Sequence, residues 1–129
     1  MSKADAFDPL TTYVDLAPSG AKAIPVTESF WPDLISGKLQ LAGRLVSAYE
    51  VHDFPHWERH PAGEELIVMM SGAMDIILEE PQGERTVSLS EGHAFLVPKN
   101  VWHRGIVRTP GRALFVTEGE GTEHKPIEG

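Results

Sequence analysis

Apolar and polar residues alternate along much of this chain with a period of two, and short turn signals interrupt the alternation at regular intervals. From Lys38 onward the pattern predicts the strands Leu39–Val51, Phe54–His60, Glu65–Ser71, Ala73–Glu79, Glu84–Leu89, His93–Val97, Val101–Arg108 and Arg112–Thr117. The separators are Pro61-Ala62-Gly63, Ser71-Gly72, Pro81-Gln82-Gly83, Ser90-Glu91-Gly92, Pro98-Lys99-Asn100 and Thr109-Pro110-Gly111, all rich in residues that suit turns. Many short strands at such spacing imply an all-β sandwich or barrel. The strand that Glu65 opens is apolar on both sides, Ile67 and Met69 on one and Leu66, Val68 and Met70 on the other. It therefore reads as buried on both faces.

Residues 1–37 read as an N-terminal arm, residues 38–118 as the barrel and residues 119–129 as a polar, irregular tail. Asp8-Pro9, Ala17-Pro18-Ser19-Gly20 and Ile24-Pro25 break the arm into one or two edge strands, where a missing N–H is tolerated. Ser29–Gly37 is the one helix candidate, with Pro32 at its first helical position and Gly37 as its stop. No linker or repeat divides the chain, and 129 residues suit one domain.

The 12 glycines and 10 prolines favour short strands over long helices. A net charge of −8 without any basic run argues against nucleic acid as a partner. The absence of cysteine excludes disulfides and thiolate chemistry. No stretch approaches the roughly 20 apolar residues that cross a bilayer, and the N-terminus lacks the apolar core of a signal peptide. A cytoplasmic chain is expected.

The candidate chemistry lies in histidines and acids. Of the six histidines, His52, His56 and His60 fall within nine residues. On a strand His56, Glu58 and His60 share one face, and Trp57 and Arg59 take the other. Glu65, opening a buried strand, needs a partner, which a metal ion or one of Arg44, Arg59 and Arg104 would supply. His103 shares a face with Val101, Gly105 and Val107, opposite Trp102, Arg104 and Ile106. A histidine on an apolar face is either hydrogen-bonded in the core or a ligand. Trp57 and Trp102 each precede such a group and so point away from it. His93 reads as a solvated residue at a strand start. His124 reads as part of a mobile tail, with folding back over the barrel mouth as the alternative.

These residues resemble the two cupin motifs. Glu58-Arg59-His60-Pro61-Ala62-Gly63-Glu64-Glu65, followed after six residues by Gly72, is similar to the first motif, a His-x-His pair, a glutamate and a closing glycine. Gly92, Pro98, Asn100 and His103 are similar to the second motif, and 19 residues, 73–91, separate the two. The resemblance implies a double-stranded β-helix, or jelly-roll, barrel. It also implies a divalent metal (Mn, Fe, Ni, Co or Zn) held by Glu58, His60, Glu65 and His103, two nitrogens and two oxygens. This sequence departs from the pattern at Glu58, which stands for the first histidine, at Asn100 for a glycine, at Val107 for the closing asparagine and at His52 for an early glycine. Trp57-Glu58-Arg59-His60-Pro61-x-Gly63-x-Glu65 with the later Gly121-Thr122-Glu123-His124 is also similar to a subgroup of small cupin proteins.

The resemblance and the residues together lead to a metal-dependent enzyme acting on a small organic molecule, of dioxygenase or isomerase type. His56, two residues earlier on the same face, is the alternative to Glu58 as fourth ligand; His56 or Glu58, if free of the metal, would move a proton. The alternatives are a non-catalytic module that binds or senses a small molecule, and a barrel whose site has decayed, for which Glu58 is the argument. Arg44, Tyr49 and Arg59 are candidate substrate contacts, and Met69 with Ile67, Met74 and Phe95 a candidate pocket lining. A homodimer is expected, since apolar strand edges need cover.

Overall fold

The computed structural model describes residues 5–128; residues 1–4 and 129, the extreme ends of the arm and the tail, lie outside the described residues. In chain order the elements are β1 Thr12–Ala17, β2 Gly20–Pro25, α1 Phe30–Ser36, β3 Arg44–Glu50, β4 Trp57–Arg59, β5 Glu65–Met69, β6 Ala73–Glu80, β7 Gly83–Ser90, β8 Ala94–Val97, β9 His103–Thr109, β10 Arg112–Thr117 and β11 Glu123–Lys125. They form two antiparallel sheets, one of six strands in the order β2-β1-β3-β10-β5-β8 and one of five in the order β11-β4-β9-β6-β7. This is the double-sheet jelly roll that the resemblance implies, and it agrees with the sandwich or barrel read from the strand pattern. No helix among the described residues is long and apolar enough to cross a membrane.

The core lies between the sheets, where alternate residues of each strand meet. Ile67, Met69, Met74, Ile76, Leu78, Leu89, Val97, Ala113 and Phe115 form it, all buried. Each such aliphatic side chain contributes about 1.5–3 kcal/mol by leaving water. Ile67, Met69 and Met74 belong to this core and partly buried Phe95 packs against it, so the pocket lining read for them is corrected. A second cluster of Tyr13, Phe30 and Leu45 seats α1 and the β1–β2 hairpin against β3. Tyr49 touches both clusters and stacks on Phe115 at 4.9 Å.

Several boundaries differ from the sequence reading for local reasons. β3 starts at Arg44 rather than Leu39, because the carboxylate of buried Asp15 accepts the N–H groups of Ala42 and Gly43, each at 2.8 Å. A side chain at Gly43 would collide with the Leu16 carbonyl, so the chain passes there only as glycine. β4 is reduced to three residues. Ahead of it, Asp53 takes the Val107 N–H and Pro55 has no N–H to pair. α1 starts at Phe30, two residues before Pro32, which is harmless because first-turn N–H groups have no partner within the helix. Within the tail Glu123–Lys125 pairs antiparallel with β4 as an edge strand, while the other described tail residues form no helix or strand.

Gly72, the closing glycine of the first motif, turns the chain between β5 and β6 with φ of 74°. A Cβ there would sit 2.5 Å from the Thr109 carbonyl oxygen. Asn100, in the glycine position of the second motif, adopts φ of 62°, a left-handed conformation that asparagine tolerates. On the outer face of the six-stranded sheet, Val14, Val46, Val116, Leu66 and Leu96 stand side by side in register across β1, β3, β10, β5 and β8.

Candidate metal centre

Three strands, β4, β5 and β9, and the residue that follows β4 bring Glu58, His60, Glu65 and His103 together at one end of the barrel. Glu58 lies in β4, directly opposite His103 at the start of β9. Glu65 opens β5 between Val97 of β8 and Thr117 of β10. His60 follows β4, and its carbonyl accepts the N–H of Asn100, which ties the two motifs together at 3.0 Å. One donor atom from each of the four residues lies within 4.8 Å of the other three. His103 is fully buried, while Glu65 at 4% and His60 at 5% exposure are nearly so. Neither Arg59 nor Arg104 reaches Glu65. Arg59 pairs with Glu123 at 2.7 Å, and Arg104 lies over the Trp57 ring at 5.1 Å.

The outer nitrogens of both imidazoles are already engaged. His103 Nδ1 donates to the Val101 carbonyl at 3.0 Å, an acceptor that fixes the proton on that nitrogen. His60 Nδ1 donates to Thr122 Oγ1 at 2.9 Å, while the Thr122 hydroxyl proton goes to the Gly119 carbonyl at 2.8 Å. Both Nε2 atoms therefore point inward with their lone pairs available. His103 Nε2 lies 3.1 Å from Glu65 Oε1 and 3.5 Å from Glu58 Oε1. His60 Nε2 lies 3.4 Å from Glu58 Oε1 and 3.5 Å from Glu65 Oε2, yet it is buried without a hydrogen-bond partner. Lone pairs facing carboxylate oxygens require a cation among them. This donor set fits a divalent ion, and the pattern of Nδ1–H groups held by oxygen acceptors is the arrangement that orients metal-binding histidines.

Without an ion, protons fill that need. Burial opposes charge on His103 and His60, but the Glu58 and Glu65 carboxylates beside them outweigh it, raising them to about 10 and about 9. Burial likewise opposes charge on Glu58 and Glu65, and the two imidazoles hold both carboxyls below the usual range. Thr117 adds a hydrogen bond to Glu65 Oε2 at 2.7 Å. Exchanging two protons for one divalent ion leaves the buried charge unchanged.

A pocket of about 130 Å³ adjoins the cluster, lined by Tyr49, Val51, His52, Phe54, Pro55, His56 and Glu58. His56 precedes β4, so its place in the pocket follows from the loop rather than from strand alternation. Its ring lies 4.7 Å from that of His124, whose Nε2 is 3.5 Å from Glu58 Oε2. His124 thus sits in a strand at the pocket mouth, where the sequence suggested a mobile tail. Tyr49 lines the pocket, and burial with the fields of Glu65 and Glu58 pushes its hydroxyl pKa up. Arg44 pairs with Glu118 and Arg59 with Glu123, so neither lines the pocket. His93 is exposed and bonds to Ser90. Trp57 and Trp102 point outward, as strand alternation requires, and hold Arg104, Arg59 and Lys125 over their rings. Sequence reasoning passed over Thr117 and Thr122, which support the cluster; the Gly121-Thr122-Glu123-His124 string was the available signal for the second.

Comparison with known proteins agrees with the geometry. The sequence description of the cupin domain family matches residues 45–117. Among solved structures the fold is similar to oxalate decarboxylase of Bacillus subtilis, a protein with Mn(II) centres. That similarity has a TM-score of 0.54 and 16% identity, over 65% of this chain and 24% of that one. It is also similar to an oxalate oxidase, with TM-score 0.52 and 14% identity over 63% of this chain and 45% of that one. A third is hydroquinone 1,2-dioxygenase from Sphingomonas sp. TTNP3, with TM-score 0.50 and 19% identity over 59% of this chain and 60% of that one. The matched part thus spans under two thirds of each of these proteins. No curated protein matches the chain. The family match takes in more than half of the sequence and contains both motifs, and on that ground this chain belongs to the cupin domain family.

Proposed function

We propose that this protein is a metal-dependent enzyme acting on a small organic molecule, with the ion held by Glu58, His60, Glu65 and His103. The observation that carries the reading is the buried, unpartnered Nε2 of His60, aimed with His103 Nε2 at two carboxylates while both Nδ1 atoms are held by oxygen acceptors. Two imidazoles and two carboxylates suit Mn, Fe, Ni, Co or Zn. A divalent ion in that set supplies Lewis acidity, or dioxygen activation where it is redox-active, toward isomerisation or dioxygenation. The pocket of about 130 Å³ beside the cluster is partly open to solvent, so it seats a small organic molecule without enclosing it. His56 borders that space, and its role is to take or return a proton of the bound molecule. Glu58 serves as ligand on one oxygen and faces His124 with the other.

Metal analysis of protein purified without a chelating tag tests the reading. About one divalent ion per chain is expected, lost in His60→Ala and His103→Ala. Substoichiometric metal that neither substitution changes overturns it. A homodimer belongs to the same reading, favoured by the charge-free row Val14, Val46, Val116, Leu66 and Leu96. Light scattering is expected to give twice the chain mass, and half of that for Leu66→Glu. Monomeric wild type overturns the pairing.

A further inference from the structure

Residues beyond 117 lie outside the region matched to the cupin domain, yet the chain returns to the metal centre there. β11 pairs with β4 in the register Glu123 to Arg59, His124 to Glu58 and Lys125 to Trp57. Alternation then divides the strand. Glu123 and Lys125 face outward, to Arg59 at 2.7 Å and to Glu79 at 2.8 Å. Thr122 and His124 face inward, to His60 and to Glu58.

We propose that this C-terminal strap is part of the metal centre, with Thr122 as a positioning residue that keeps Nε2 of His60 free for the ion and His124 as a restraint on Glu58. The inference rests on the metal reading above. A neutral imidazole can carry its proton on either nitrogen, and the acceptor it meets decides which. Thr122 Oγ1 supplies an acceptor at Nδ1, and it is available as one because its own proton is committed to Gly119. His60 has no backbone carbonyl at that nitrogen comparable to Val101 at His103, so this hydroxyl is its orienting partner. Glu58 is divided in the same way. Its Oε1 faces both Nε2 atoms, and its Oε2 faces His124. The strap thus grips the two β4-side donors from behind, in the register that also zips its outer face.

The test compares wild type, Thr122→Val, Thr122→Ser and Glu123→Gln with zinc as the probe, by competition against a chromophoric chelator. Valine keeps the shape and removes the acceptor. Thr122→Val is expected to bind zinc about 10- to 100-fold more weakly. Thr122→Ser, which keeps the hydroxyl that accepts from His60 Nδ1, is expected to restore the affinity to within about threefold of wild type. Glu123→Gln, which loosens only the outer pairing, is expected to leave it unchanged. His124→Leu is expected to shift it less than Thr122→Val, since 3.5 Å is a longer contact than 2.9 Å. Nitrogen NMR of the zinc-loaded protein is expected to report a slowly exchanging His60 Nδ1–H in wild type and rapid exchange in Thr122→Val. Equal zinc binding and equal exchange in wild type and Thr122→Val overturn the inference alone, as does an equal loss in Glu123→Gln. If Thr122→Val does not fold, failure of Thr122→Ser to retain wild-type affinity and exchange overturns it. Absence of zinc and manganese binding by wild type overturns the metal reading and this inference together.

Discussion

Along β4, β9 and β11 and the residues flanking them, the inward side chains are Glu58, His60, His103, Thr122 and His124, and the outward ones are Trp57, Arg59, Trp102, Arg104, Glu123 and Lys125. Both faces assemble charges, in contrasting surroundings. Outward, Lys125 lies 4.8 Å from the Trp102 ring and 2.8 Å from Glu79, with water close by, so each pair adds little. Inward, His60, Glu65 and His103 are sealed from water and Glu58 is only partly exposed, so the loss of any one leaves the others poorly compensated. The outer face holds the strands together, and the inner face holds a charge balance that an ion or protons must complete.

The largest expected separation of the two faces comes from His103→Ala. Zinc affinity should fall by more than about 100-fold, beyond what removal of an outer partner produces. The metal-free variant should also lose about 3–5 kcal/mol in urea unfolding, because buried acids lose a partner. Trp57→Ala should cost a similar 3–5 kcal/mol for a buried tryptophan, while metal per folded chain stays at the wild-type value. Loss of metal in Trp57→Ala with the fold intact would break the contrast.

Titration of the metal-free protein comes next in size. The two histidines have folded pKa values of about 10 and about 9 against 6.5 ordinarily, so their contribution to stability is full below 6.5 and is lost as pH rises through those values. Glu58 and Glu65 are held below 4.5, so theirs is present above 4.5 and lost as pH falls. Melting temperature in a chelator should therefore decline from neutral pH toward pH 10, and an excess of zinc should flatten that decline. A decline that zinc leaves unaltered would contradict the exchange of protons for an ion. The smallest effect belongs to the outer face, where Lys125→Met should change stability by less than about 1 kcal/mol.

Legibility in the sequence followed the range of the interactions involved. The sequence places β10 to the residue and β5 to β7 nearly so, because their runs of strand-forming residues are bounded by glycine or proline turns. β3 and β4 were read too long, since the carboxylates of Asp15 and Asp53 take backbone N–H groups that a pattern of apolar residues does not reveal. β11 was missed because Glu123-His124-Lys125 is polar on both faces and gains its partner only through β4.

By itself the sequence determined the period of two, the turn positions and the spacing of the donor residues, all set by short-range backbone geometry. Tertiary structure alone decided which nitrogen of each histidine faces inward, that Glu65 meets imidazoles rather than arginine, and that the tail belongs to the site. Those outcomes depend on parts of the chain 38 to 64 residues apart: Glu65 meets His103 from the opposite sheet, and the pairing of β4 with β11 sets Arg59 against Glu123. A shift of one residue in such a pairing would turn every one of these side chains to the opposite face.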